Sequence, residues 1–114
     1  MRPAIGYVRV SSEEQADSGL GLGAQRQRIQ AYCTMKDLRL VRVLEDSGVS
    51  GGKPLATRAA GASLLADART TKAVVVVAKF DRLFRSVADA AQTIADFNRR
   101  GIELVAIAVG PRAP

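Results

Sequence analysis

Apolar and polar positions fall in alternating blocks along the chain, and the blocks predict a repeating strand–helix order. Ala4 to Val10 carries Ile, Tyr and Val with no charge before Arg9, the pattern of a buried strand. Ser11 to Gly23 is polar and Gly-rich and predicts a loop. Ala24 to Asp37 sets Ile29, Tyr32, Cys33 and Met35 among charges at helical spacing. Leu38 to Leu44 alternates Leu and Val with Arg39 and Arg42, a strand with one wetter face. Asp46 to Pro54 is a second Gly/Ser-rich loop, and Arg58 to Ala68 a short helix built on Leu64 and Leu65. Ala73 to Ala78 holds four valines, as a strand buried on both faces of a parallel sheet does. Val87 to Arg100 places Val87, Ala91, Ile94 and Phe97 on one face and stops at Gly101; Ile102 to Val109 is a last strand.

The resulting order, β-α-β-α-β-α-β, predicts an α/β fold: three layers, with an open, mainly parallel sheet flanked by helices on both sides. Functional loops of such sheets gather at the carboxyl ends of the strands. Three loops qualify here, after Val10, after Leu44 and after Ala78. No internal repeat or linker interrupts the pattern. Gly110 to Pro114 is a tail rich in helix breakers.

Composition narrows the chemistry. The 114 residues suit one domain, and 47% hydrophobic with 25% charged residues excludes compositional disorder. With no histidine, Ser-His-Asp and Cys-His nucleophile pairs and His-liganded metal sites are excluded. One cysteine makes no intrachain disulfide and no zinc cluster, which fits a reducing compartment. The first ten residues lack the apolar stretch of a signal peptide, and the longest apolar run, Ala73 to Ala78, is too short to span a bilayer. A cytoplasmic protein without a membrane partner is expected. The net charge of +6 points to an acidic partner, nucleic acid first. Thirteen Arg to four Lys suits phosphate recognition, although an Arg- and Ala-favouring genome gives the same ratio.

Two glycine-bearing segments fail as nucleotide loops. Gly19, Gly21 and Gly23 have the wrong spacing and lie far from the first strand, while Ser47 and Pro54 break the P-loop pattern around Gly51-Gly52-Lys53. In the first loop, Ser11 ends a buried strand two residues after Arg9. It is placed either as a nucleophile, needing activation by a carboxylate, a lysine or arginines, or as a turn former. The third loop, Lys79-Phe80-Asp81-Arg82-Leu83-Phe84-Arg85-Ser86, sets two arginines three apart. They could grip one phosphate from one side of a helical turn; equally, Asp81 could open a solvated helix.

Taken together, the loops resemble the catalytic domain of the serine recombinases, the resolvases, invertases and large serine integrases. Tyr7-Val8-Arg9-Val10-Ser11-Ser12-Glu13-Glu14-Gln15 is similar to the nucleophile segment, and Gly21-Leu22-Gly23-Ala24-Gln25-Arg26 to the lead into the first helix. Asp46-Ser47-Gly48-Val49-Ser50-Gly51-Gly52 resembles the mobile loop, Arg58 falls where the family places another active-site arginine, and Lys79 to Arg85 is similar to the Asp-Arg-Leu-x-Arg segment. The resemblance spans Ile5 to about Val109. It implies a resolvase-like fold and a serine, Ser11, that attacks a DNA phosphodiester and forms a 5′-phosphoserine link. Arg9, Arg58, Arg82 and Arg85 would supply positive donors without a metal or any other cofactor. Asp81 would orient an arginine or help move a proton, and Gln15, Ser50 and Lys79 would support. DNA is the implied partner. Tyr7 and Cys33 are expected in the core, and Arg39, Arg42, Arg69, Arg99 and Arg100 as solvated surface charges.

Relatives continue into a long dimerising helix and a DNA-binding domain, and they work as dimers that pair into tetramers. The resemblance implies a catalytic domain over residues 1–110 and a tail over 111–114, with no DNA-binding domain expected in this chain. The chain is then either a cut-down form of a longer enzyme or a naturally short product. Two functions follow: a recombinase catalytic domain, or a catalytically silent fragment that associates with a full-length relative. A phosphoacceptor domain of the same topology ranks lower, because arginines crowd the carboxylates it needs for Mg²⁺.

Overall fold

A computed structural model of the chain describes residues 1–12 and 20–108. Gln15 and the tail therefore lie outside the described residues. Within them, strand β1 (Arg2–Val10) is followed by helix α1 (Leu22–Met35), β2 (Leu38–Ser47), a 3-10 turn (Leu55–Thr57), α2 (Ala59–Thr71), β3 (Val74–Lys79), a four-residue helix α3 (Phe80–Leu83), α4 (Val87–Arg100) and β4 (Leu104–Ala108). The strands pair in parallel in the order β2-β1-β3-β4. None of the described helices is long and apolar enough to cross a membrane.

Alternation along the two central strands makes the three layers. Ala4, Val8, Val74 and Val76 point to one face and pack with Ile29 and Cys33 of α1. Ile5, Tyr7, Val75 and Val77 point to the other and pack with Leu64, Leu65 and Phe97 of α2 and α4. The valine run is thus buried on both sides, as its composition predicts. Gly6 lets α1 approach the sheet: a Cβ there would stand 3.0 Å from Ile29 Cγ2 and 3.2 Å from Val43 Cγ2.

Several boundaries differ from the sequence reading. β2 runs three residues beyond Leu44, which takes Asp46 out of the expected loop and sets it beside Arg9 in the strand register. α1 starts at Leu22 and ends before Lys36 and Asp37, the latter at positive φ. Arg58 is the residue that precedes α2 and not part of it, and that helix continues to Thr71. The last strand begins two residues later than expected, at Leu104, and is only partly buried.

The inward face of α4 is also rotated from the expected one. Ala90, Thr93, Asp96 and Phe97 are buried, whereas Val87 is 86% exposed and Ile94 lies at the surface. The cause is electrostatic. Asp96 turns toward α2 to receive Arg69 Nε at 3.1 Å, with Arg99 Nη2 and Arg100 Nε at 3.1 and 2.8 Å. Three residues expected to be simple surface charges therefore converge on one carboxylate. The Arg100 hydrogen bond, reinforced by that of Arg69, holds the Asp96 carboxyl below its ordinary range. The ends of α4 follow the sequence: Ser86 Oγ accepts the Asp89 N–H, and Gly101 closes the helix at φ 72°.

Candidate active site

The carboxyl ends of β1, β2 and β3 bring three loops together, and buried arginines fasten them. Arg9 is fully buried, and its guanidinium donates to three backbone carbonyls. Nε reaches Arg82 O at 2.9 Å, Nη1 reaches Val49 O at 2.7 Å and Nη2 reaches Asp81 O at 3.0 Å. The Arg9 main chain has passed the end of the β1–β3 pairing, which stops at Tyr7. Gln25 takes the place of the missing strand: its Oε1 accepts the Arg9 N–H at 3.1 Å and its Nε2 donates to Arg9 O at 2.9 Å. This satisfies backbone groups that would otherwise be buried without a partner.

Arg58, 1% exposed, is held equally closely. Its Nε donates to Lys53 O at 2.9 Å, Nη2 to Gly51 O at 3.1 Å, and Nη1 to Tyr7 Oη at 3.1 Å and to Arg82 O at 3.4 Å. Arg9 and Arg58 thus share the Arg82 carbonyl. The Arg82 side chain is buried as well; its Nη1 donates to Arg9 O at 3.1 Å and its Nε to Asp81 Oδ1 at 3.2 Å. Three guanidiniums in one buried place need many acceptors to offset lost hydration. Backbone carbonyls, the Tyr7 hydroxyl and Asp81 provide them.

Arg85 does not share a helical face with Arg82, because α3 stops at Leu83 and Phe84 is extended (φ −134°, ψ 140°). Arg82 turns inward and Arg85 is exposed. Arg85 nevertheless meets Arg9 across Gly51. A Cβ at Gly51 would stand 2.9 Å from Arg85 Cγ and Cδ and 2.9 Å from Arg9 Nη2, so the close approach requires glycine. The Arg85 N–H also donates to Gly51 O at 3.1 Å.

Ser11 follows β1 directly and is half-buried at this edge. The preceding carbonyl, Val10 O, accepts the N–H groups of Gly48 (2.8 Å) and Val49 (3.1 Å), which ties the second loop to the serine's own strand. Gly48 makes that turn at φ 73°. Lys79 ends β3 half-buried, and Ser50 is exposed, its Oγ accepting the Gly52 N–H at 3.1 Å. Among the described residues, no three His, Cys, Asp or Glu side chains gather to hold a metal.

Three buried residues enter this site that the sequence reading did not assign to it: Gln25, Tyr7 and Asp46. Tyr7 is in the core, as expected, but its hydroxyl lies between Arg58 and Asp46 Oδ2, to which it donates at 2.8 Å. Burial, more than any neighbour, raises the Tyr7 phenol well above its ordinary range, so it keeps its proton. The available signal was strand periodicity, which puts Tyr7 on the same face as Arg9.

Comparison with known proteins identifies the fold and the family. The model of the resolvase N-terminal domain matches residues 4–113. The N-terminal catalytic domain of TP901-1 integrase superposes with a TM-score of 0.78 at 28% identity, over 93% of this chain and 77% of that one. A resolvase family site-specific recombinase from Streptococcus pneumoniae gives 0.75 at 27% identity, over 94% and 72%. The C-terminal catalytic domain of ISC1926 TnpA, an IS607-like serine recombinase, gives 0.72 at 26% identity, over 97% and 71%. A shorter match, 41% identical over 44 residues, is to the uncharacterized immunity region protein 3 of Bacillus phage phi105. It covers 39% of this chain and about half (54%) of that protein. With a parallel sheet, three arginine-fastened loops and a family match across nearly all its length, the chain belongs to the resolvase family of serine recombinases, as a form of its N-terminal catalytic domain.

Proposed function

We propose that this domain cleaves and rejoins DNA by transesterification, with Ser11 as nucleophile. The observation that carries the reading is the position of Ser11: one residue beyond β1, at the edge where Arg9 and Arg58 share the Arg82 carbonyl, Arg82 donates to Arg9 O and Arg85 packs at Gly51. Ser11 Oγ forms a bond to a backbone phosphorus as the bond from phosphorus to the 3′ oxygen breaks. The products are a 5′-phosphoserine and a free 3′ hydroxyl; the proton lost by the serine is balanced by the one gained at the leaving oxygen. Because a phosphoester is exchanged for a phosphoester, rejoining needs no nucleotide.

Negative charge grows on the phosphate oxygens in such a displacement, and fixed guanidinium donors stabilise it. In the described conformation Arg9 and Arg58 donate to the carbonyls of Val49, Gly51 and Lys53. On this reading, docking of DNA exchanges some of those carbonyls for phosphate oxygens. Arg85 and Lys79, at the more open side of the edge, meet the DNA backbone first. Asp81 orients Arg82 through the 3.2 Å contact, and Ser50 and Gln15 support the loops that flank Ser11. The partner is DNA, bound through its phosphates.

The test is covalent trapping on a nicked suicide DNA substrate, read on a denaturing gel. A denaturant-stable adduct with the unaltered chain and none with Ser11→Ala is expected. An adduct that persists in Ser11→Ala refutes the nucleophile, and no adduct with either protein refutes cleavage by this chain.

A further inference from the structure

Arg58 occupies an unusual place: it precedes α2 as the N-cap residue, yet it offers that helix no side-chain cap. The first turn of a helix exposes N–H groups that need an acceptor. Asp46, from the end of β2, supplies it across the fold. Its Oδ1 accepts the Ala60 N–H at 2.9 Å and its Oδ2 the Gly61 N–H at 3.1 Å. The same Oδ2 accepts the Tyr7 hydroxyl at 2.8 Å, and Tyr7 Oη accepts Arg58 Nη1 at 3.1 Å. Asp46 is 4% exposed and Tyr7 fully buried, so water does not compete for these bonds.

One carboxylate therefore governs Arg58 twice. It anchors the main chain where Arg58 enters α2, and through the phenol it reaches Nη1 of the guanidinium, whose other contacts are the carbonyls of Lys53, Gly51 and Arg82. The sense of the chain is fixed by proton count. A phenol has a single proton; once that is given to Asp46, its lone pairs are turned toward Arg58.

We propose that Asp46 and Tyr7 are positioning residues for Arg58, with Asp46 acting through the Tyr7 hydroxyl to hold the guanidinium in the orientation that the cleavage step uses. This rests on the Ser11 reading given above. Neither residue touches the phosphate; both act through an arginine that does.

Tyr7→Phe separates this role from packing, since it removes the hydroxyl and keeps the ring and the cap that Asp46 gives α2. On the nicked substrate, adduct formation should slow about tenfold, the scale of one lost hydrogen bond to a charged group. In an Arg58→Lys background the same substitution should change the rate less than twofold, because its target is already gone. A second readout does not depend on cleavage. In ¹⁵N spectra of the arginine side chains, the Arg58 Nη signals, identified by their loss in Arg58→Lys, should be separate in the unaltered protein and averaged in Tyr7→Phe. Leu64→Ala, a core change that weakens the fold, should leave the Arg58 signals separate. A Tyr7→Phe rate within twofold of the unaltered protein, an undiminished effect in the Arg58→Lys background, or unchanged Arg58 signals would each overturn the proposal. If the unaltered chain forms no adduct, the cleavage reading fails on its own, and the Arg58 signals alone then decide the positioning claim.

Discussion

Gly61→Ala sets two known effects against each other at one atom. In the interior of a helix, alanine is favoured over glycine by about 1 kcal/mol. Gly61 lies in the first turn of α2, so propensity alone predicts a more stable protein. Packing predicts the reverse. A Cβ at this position would collide with the Leu55 carbonyl oxygen and stand 2.8 Å from Leu55 Cδ1 and 3.2 Å from Arg58 Cβ. The first obstacle is backbone and cannot rotate away. Leu55 is fully buried, and its carbonyl receives the Arg58 N–H at 3.2 Å, so moving the 3-10 turn drags Arg58 with it. Overpacking a filled site costs about 1–3 kcal/mol, and an immovable neighbour puts this one near about 3 kcal/mol. After the propensity gain, a net loss of about 2 kcal/mol remains. For a domain of this size that lowers the melting temperature by about 8 °C. Far-UV circular dichroism of both proteins, melted at the same concentration and pH, measures it. A Gly61→Ala protein that melts at or above the unaltered temperature would refute the reasoning, because helix propensity would then outweigh the contact.

Two other substitutions test the buried charges. The Asp96 carboxyl is held low in the folded state, so its contribution to stability is complete above the ordinary carboxylate range and is lost as pH falls through the lowered value. Asp96→Asn should therefore be less stable than the unaltered protein near pH 7 and lose less on acidification; urea midpoints from pH 2 to 7 that run parallel for the two proteins would contradict this. Arg9→Lys replaces three donors, aimed at Val49, Asp81 and Arg82 carbonyls, with one compact ammonium. Buried carbonyls left without donors should cost about 3 kcal/mol and speed thermolysin cleavage between Gly48 and Leu55; unchanged stability and cleavage would count against the fastening role.

The parts of the fold legible in the sequence were those set by simple periodicity. β1 and β3 alternate apolar residues between two faces, and Gly101 marks the end of α4, so the parallel sheet and its flanking helices could be read directly. The face of α4 could not, because a hydrophobic rule sends Val87 and Ile94 inward. Charge decides there: Asp96 is turned in by Arg69 from a helix distant in sequence. The candidate site divides in the same way. Arg9, Ser11, Arg58 and Arg82 stand in short motifs that the sequence displays. Asp46 looked like the start of a loop because its helix-capping and tyrosine contacts lie 14 and 39 residues away. The spacing that suggested a shared phosphate grip for Arg82 and Arg85 failed because α3 ends between them.

The bonds of Arg9 span 40 residues to Val49 and 73 to Arg82, and Arg58 adds 24 more to the same carbonyl. In a chain whose single cysteine can form no internal cross-link, these guanidiniums act as reversible staples. Each closes a long loop, and they share an anchor, so releasing one loosens the hold of the others. The carboxyl edge of the sheet should consequently open as one cooperative unit. In hydrogen exchange, the Val49 amide bonded to Val10 and the Arg85 amide bonded to Gly51 would report a common opening free energy, although 36 residues separate them.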